Sequence, residues 1–368
     1  MTLFTCGPVQ MYPSTATIRD KGFIHFRTKE YGEMVKSTLK RLSVLLGNNE
    51  ELATIYLASS GTGAMEATVE NCVGLNDKVL VIDGGGFGHR FCELLKYHKI
   101  SYDSVDLKWN EELTEEHLKS HENKGYTALF VNHHETTSGQ LYNMQILSDF
   151  CKRNNMYLIV DAISSFLADE YNMEKWGIDV TIISSQKGLC CSPGCSIVSF
   201  SKRMIDKLYR DNTLTPSKYF DFKDYLKGNI DRGQTPYTPP VLVMYEIQDM
   251  LNMIDNEGGL NGRLNIVKEK CEYFRTKVKE IGLTIPDYPI SNMITPIWFD
   301  DVSAYDVIQV LKDKYGMYVN PCGGELATKL LRVSHLGNTT LSDFDELTEK
   351  IKLSIQDVKE KQLQGVLL

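Results

Sequence analysis

Lys187 and Asp161 are the residues of this chain whose types and surroundings point most directly to covalent chemistry. Lys187 stands in Ser184-Ser185-Gln186-Lys187-Gly188, just after an apolar run, and Asp161 closes the run Met156–Val160. A lysine amine attacks carbonyl carbon once its pKa is lowered from roughly 10.4. A carboxylate at the end of a buried strand is costly unless a cation faces it. Taken singly, each residue also has an ordinary reading: a surface lysine in a turn, and an aspartate that caps the next helix.

Four further groupings bear on the choice. Ser59-Ser60-Gly61-Thr62-Gly63 precedes a helical pattern, and a glycine-rich turn there offers N–H groups, hydroxyls and the positive helix end to a phosphate. A simple cap by Ser60 or Thr62 accounts for the same residues. Gly84-Gly85-Gly86-Phe87-Gly88-His89-Arg90 leaves room for a flat ligand on the Phe87 ring, or turns that ring into the core. Asn132-His133-His134-Glu135-Thr136-Thr137-Ser138-Gly139 carries threonines able to bond a phenolic oxygen, or to form turns. Its adjacent histidines point to opposite faces of a strand and do not share a metal. Arg332, in an apolar stretch, wants a carboxylate or phosphate partner, either a structural Asp or Glu or a substrate anion. Cys190, Cys191 and Cys195 crowd together without a nearby histidine and read as small buried side chains; no metal is expected.

A lysine for a Schiff base and an acid beside a pyridinium nitrogen are what pyridoxal 5′-phosphate requires. Whether the chain brings them together depends on its elements. Apolar runs at 54–57, 78–82, 127–131, 156–160, 180–183 and 196–200 alternate with helical patterns at 64–73, 87–97 and 143–154. Such alternation predicts an α/β fold with a mostly parallel sheet covered by helices on both faces. Ligands in such sheets gather at the carboxyl ends of the strands, where each motif above falls. After Pro239-Pro240 the pattern changes to long helices at about 241–254 and 259–281, strands at 293–299 and 317–319, and helices at 303–314 and 341–360. We expect an N-terminal arm over 1–15, a large α/β domain over 16–255 and a small α+β domain over 256–368.

The composition narrows the surroundings. Of 368 residues 42% are hydrophobic and 24% charged, and the net charge is −8. No positive excess draws the chain to nucleic acid or anionic lipid. No apolar run spans a membrane, and the N-terminus lacks a secretory pattern. Nine scattered cysteines fit reduced thiols, so a cytoplasmic location is expected.

Together the motifs resemble the class V, fold type I aminotransferases that use pyridoxal 5′-phosphate. The matching segments, in order, are Gly-Thr-Gly-Ala-Met-Glu-Ala at 61–67, Gly-Phe-Gly at 86–88, His-Glu-Thr-Thr-Ser-Gly at 134–139 and Val-Asp-Ala-Ile-Ser-Ser at 160–165. Ser-Gln-Lys-Gly at 185–188, Thr-Pro-Tyr-Thr-Pro-Pro at 235–240 and Arg-Val-Ser-His-Leu-Gly at 332–337 follow. The chain looks most similar to the 2-aminoethylphosphonate–pyruvate, alanine–glyoxylate and serine–pyruvate transaminases. The resemblance implies a mostly parallel seven-stranded sheet between helices, with a smaller C-terminal α+β domain.

It also implies roles. Lys187 forms the Schiff base and shuttles a proton, while Asp161 keeps the pyridine nitrogen protonated. Phe87 stacks on the ring, Ile163 lies in the cofactor pocket, Ser60, Gly61, Thr62 and Gln186 hold the phosphate, and Thr137 the phenolic side. Thr235 and Thr238 reach the neighbouring subunit's phosphate in a homodimer with shared sites. Arg332 takes the substrate carboxylate, and the loop at Gly7 lies near the substrate. The implied reaction moves an amino group from 2-aminoethylphosphonate, alanine or serine to pyruvate or glyoxylate. Departures from the family pattern include Cys6-Gly7-Pro8 in place of Pro-Gly-Pro, and His25-Phe26-Arg27-Thr28-Lys29-Glu30-Tyr31. Arg27, Lys29 and Arg90 are candidate anion contacts or surface charges. Two alternatives remain: a cysteine desulfurase or lyase using Cys322 as nucleophile, and a cofactor-binding protein without turnover.

Overall fold

The computed structural model describes residues 1–47, 53–211 and 216–365. Its central sheet has seven strands: β1 (Thr54–Leu57), β2 (Lys78–Asp83), β3 (Ser101–Asp106), β4 (Ala128–Asn132), β5 (Tyr157–Asp161), β6 (Val180–Ser184) and β7 (Ser196–Phe200). They lie side by side in the order β1-β7-β6-β5-β4-β2-β3. Strand β7 runs antiparallel to both its neighbours, and the other pairings are parallel.

The apolar runs form strands because both faces of the sheet are covered. Leu80, Ile82, Leu129 and Val131 belong to one buried apolar cluster, and Val79, Val81, Ala128 and Phe130 to another. Successive side chains thus go to opposite layers, and a strand buried on both sides reads as continuous apolar sequence. Strand β3 escaped that reading. It sits at the sheet edge, pairs with β2 and carries Ser101, Asp103, Ser104 and Asp106, so little of it is buried. Helices Lys29–Leu45, Lys202–Arg210 and Phe222–Arg232 were likewise not expected from the apolar pattern.

Beyond helices Val241–Asn256 and Gly259–Glu280 comes a second, antiparallel sheet of β8 (Ile294–Trp298), β9 (Asn320–Pro321) and β10 (Leu330–Ser334), with β10 in the middle. Its apolar cluster includes Phe274, Val333 and Phe344, and Phe4 belongs to it as well. The N-terminus reaches this unit because Thr2–Leu3 pairs in parallel with Met317–Tyr318. It then passes to the edge of the large sheet, where the Val9 N–H donates to Gln186 O at 3.3 Å. Among the described residues no helix is long and apolar enough to cross a membrane.

Candidate active site

All the motif-bearing strands end on one edge of the sheet. Strand β6 delivers the lysine through a loop tied by its own backbone. Ser185 N–H donates to Cys195 O at 2.9 Å, Cys191 N–H to Ser185 O at 2.9 Å, and Cys190 N–H to Lys187 O at 2.8 Å. Cys190, Cys191 and Cys195 are core residues packed beneath this loop. Lys187 itself is half-buried, and its partial removal from water draws its ammonium below the ordinary lysine range, in part offset by Cys6 and Asp161. Its Nζ stands 6.0 Å from the centroid of the Phe87 ring.

Asp161 ends β5, in register with Asn132 of the neighbouring β4. Its Oδ1 accepts the Ile163 N–H at 2.8 Å. The side chain is 5% exposed, and burial pushes its pKa up to about 7 against the Ile163 N–H and the Lys187 ammonium. A carboxylate so placed favours a cationic ligand opposite it.

The third wall is the start of the helix Gly61–Cys72. Ser60 caps it, its hydroxyl accepting from Gly63 N at 3.3 Å. Both sequence readings of this turn are therefore compatible: Ser60 is a cap, and Gly61 and Thr62 still face the cleft. Gln186 stands beside them, its Oε1 taking the Ser184 hydroxyl. Arg90 donates to Thr62 Oγ1 at 3.3 Å and lies over the Phe87 ring.

Phe87 is positioned by a residue to which sequence reasoning assigned no role. The carboxylate of Glu135, fully buried, accepts the N–H groups of Phe87 at 3.2 Å and Gly88 at 3.0 Å, with the Asn132 amide at 3.0 Å. Its other oxygen accepts Thr137 N–H at 2.9 Å. Glu135 thus anchors the N-terminus of the helix Gly86–Tyr97, where a negative charge also meets the positive helix end.

The cleft so formed, about 100 Å³, is lined by Ser60, Gly61, Thr62, Phe87, Asp161, Ile163, Gln186 and Lys187. Met65, His134, Thr136 and Ser164 complete the wall; Thr136 was one of the threonines read as able to bond a phenolic oxygen, His134 was weighed only as a metal ligand, and Met65 and Ser164 were given no role. The wall does not include Thr137, whose hydroxyl accepts from Gly86 N–H at 3.0 Å. Gly7 packs directly on the Lys187 side chain. Arg332, on β10, reaches the edge of the cleft, donating from Nη1 to Thr136 O at 2.6 Å and from Nη2 to Pro321 O.

Other candidates lie apart. Thr235 is turned inward, donating to Tyr237 O at 2.6 Å, whereas Thr238 is exposed beside Phe23, Phe26 and Pro240. Arg27 holds the carbonyls of Thr235 at 2.8 Å and Pro236 at 3.1 Å, and Lys29 is an exposed charge near Glu33. Cys322 is 6% exposed, and its thiol donates to Thr137 O at 3.2 Å. Burial pushes that thiol's pKa up, the opposite of what a nucleophilic cysteine needs.

A half-buried amine, a buried carboxyl facing a cation's place, an aromatic face and a helix N-terminus form a donor set that fits pyridoxal phosphate. The comparisons agree. The family model described as Aminotransferase class-V matches residues 16–347. The chain is 26% identical over 351 residues to the L-aspartate–glyoxylate aminotransferase of Paracoccus denitrificans, covering 92% of this chain and 87% of that protein. It is 24% identical over 370 residues to the serine–glyoxylate aminotransferase of Arabidopsis thaliana, covering 97% and 90%. The crystal structure of an alanine–glyoxylate aminotransferase from Nostoc sp. superposes with a TM-score of 0.91 at 26% identity, covering 96% and 94%. The chain belongs to aminotransferase class V and is a pyridoxal-phosphate-dependent aminotransferase of fold type I, related to the glyoxylate aminotransferases.

Proposed function

We propose that this aminotransferase moves the amino group of a small donor (alanine, serine or 2-aminoethylphosphonate) to glyoxylate or pyruvate, in a homodimer whose sites are shared. The observation that carries this reading is the convergence of Lys187 and Asp161 on one cleft, with the Gly61–Cys72 helix start on its wall and Arg332 at its edge. The glyoxylate acceptors in the names of the relatives support a small 2-oxo acid.

When bound, the cofactor supplies an electron sink for the negative charge that develops at the substrate Cα. The chain's own residues do the rest. Lys187 Nζ would take the proton from the substrate Cα and hand it to the cofactor's C4′ rather than back to Cα, a task for which a lowered amine pKa is suited. The Asp161 carboxylate would hold the proton on the pyridine nitrogen, and the face of Phe87 would hold the ring in place by stacking. The N–H groups at Gly61 and Thr62, with the Ser60 and Thr62 hydroxyls, take the phosphate. Arg332 presents its planar fork to the substrate carboxylate. The exposed apolar hollow around Phe23, Phe26 and Val241 supports a second copy packing there, which brings Thr238 to a partner's cleft.

The test is an absorption spectrum of the purified protein loaded with pyridoxal phosphate, titrated with alanine, serine and 2-aminoethylphosphonate. The band of the lysine-bound cofactor is expected to bleach with one donor and to return with glyoxylate or pyruvate. Lys187→Ala is expected to lack that band and nearly all turnover. A wild-type protein without the band overturns the reading. A monomer in sedimentation removes the shared-site part of it.

A further inference from the structure

Two adjacent histidines follow β4, and the fold treats them differently. His133 turns into the core, its ring centroid 5.5 Å from that of Tyr171 and 5.6 Å from that of Trp176, the latter edge-on. Aromatic faces of that kind give a ring N–H a weak partner. His134 points the other way and lines the cleft that holds Lys187 and Asp161. It is 1% exposed, and neither Nδ1 nor Nε2 has a hydrogen-bond partner among the described residues. Its carbonyl accepts from the Ser164 hydroxyl at 3.2 Å, which holds the backbone but leaves the ring without a partner.

A neutral imidazole always carries one N–H and one bare nitrogen. Leaving such a group buried and unpartnered costs stability. The ring has no route to charge itself and gain solvation instead. Burial, then the Lys187 ammonium, the His133 ring and the Arg332 and Arg275 cations, all hold it neutral. This neutral donor lines the cleft with Lys187 and Asp161, and, two residues on, the Thr136 carbonyl holds Arg332 at the cleft edge, so the ring faces space in which the anionic oxygens of a ligand can come to rest.

We propose that His134 is a ligand-contacting residue of this aminotransferase, its ring N–H donating to an anionic oxygen of the bound cofactor or substrate. The proposal rests on the reading of the Lys187 cleft as the reaction site. The shared chemistry is a negatively charged oxygen, supplied either by the cofactor ring or by the substrate carboxylate.

The test uses full-length protein and two titrations that need no turnover. Apoprotein is titrated with pyridoxal phosphate, following the lysine-bound absorbance, and the loaded protein is then titrated with the amino donor that bleaches it. His134→Phe is expected to weaken at least one of the two midpoints by about tenfold or more, and His134→Gln, which keeps a donor, to recover most of that loss. A shift in the first titration places the oxygen on the cofactor, and a shift confined to the second places it on the substrate. Should His134→Phe fail to fold, nitrogen NMR of histidine-labelled wild type gives the answer, with the His134 signal assigned by His134→Gln. That signal is expected to move on loading, and a signal that stays in place throughout overturns the proposal. Midpoints within twofold of wild type in folded His134→Phe also overturn it while leaving the functional reading intact. A wild type that never acquires the lysine-bound absorbance overturns both.

Discussion

Gly7 lies so close to Lys187 that a Cβ placed on it would stand 2.7 Å from the lysine Cδ and 2.8 Å from its Cε. The N-terminal segment is therefore a wall of the lysine's channel. It is held at both ends, by Phe4 N–H on Tyr318 O at 2.8 Å and by Val9 N–H on Gln186 O. Through this segment the small sheet reaches the reacting amine.

Gly7→Ala is expected to push the Lys187 side chain out of line. The residue's φ of +139° adds backbone strain to the contact. The substituted protein should fold, because the clash falls on a flexible side chain, but should attach the cofactor at least about tenfold less well, roughly 1.4 kcal/mol. Titrating apoprotein with pyridoxal phosphate measures this, and an unchanged midpoint would show that the channel tolerates a methyl group.

Glu135→Gln tests the clamp on Phe87. The carboxylate takes N–H groups from Phe87, Gly88, Asn132 and Thr137, and an amide turns one of its acceptors into a donor facing them. Breaking charged hydrogen bonds in a buried site costs about 2–3 kcal/mol. Denaturant unfolding should register that loss, together with weaker cofactor retention. Stability and retention both equal to wild type would mean the anchoring lies elsewhere.

How much of this was legible in the sequence follows from which contacts are local. Strands buried on both faces announce themselves as apolar runs, so Thr54–Leu57 and Ser196–Phe200 were read to the residue. The edge strand Ser101–Asp106 has half the neighbours and mixes polar residues, so its pattern is weak. Asp161 and Lys187 were legible because parallel sheets put ligands at strand ends, whereas Gln186 was marked only by the family resemblance. Glu135 as the clamp on Phe87, and Gly7 against Lys187, are pairings between distant segments that no local pattern encodes. His134 was masked by its twin, since period-two alternation says the two rings part but not which one enters the cleft.

Asp161 gives a pH dependence with a definite sign. Its pKa is raised by burial to about 7, whereas the unfolded chain keeps the ordinary value near 4. Between those values the folded apoprotein holds a proton that the unfolded chain has released. Its contribution to stability is therefore complete below pH 4, declines as pH rises toward 7, and is absent above that. Asp161→Asn does not titrate and still accepts the Ile163 N–H through its amide oxygen. The apo variant should gain on apo wild type by roughly 2.6 kcal/mol between pH 5 and pH 8, the part of the shift that falls in that window. Urea unfolding at the two pH values measures it, and a gap that does not widen contradicts the assignment. Bound cofactor should reverse the order, because only the carboxylate answers a pyridinium cation.

Arg332 is expected to select for the carboxylate without holding the cofactor. Its Nη1 and Nη2 are fixed by the carbonyls of Thr136 and Pro321, while Nε has no partner among the described residues. No carboxylate of the chain lies within ion-pair distance of it among those residues, so the guanidinium charge is left for an incoming anion. Arg332→Ala should keep the lysine-bound absorbance yet lower kcat/KM for both amino donor and 2-oxo acid by about a hundredfold, near 2.7 kcal/mol. Arg332→Lys should recover only a small part, since a point charge does not replace a planar fork. Steady-state kinetics with each substrate varied in turn decide the matter. Unchanged Michaelis constants for both substrates would move the carboxylate site away from β10.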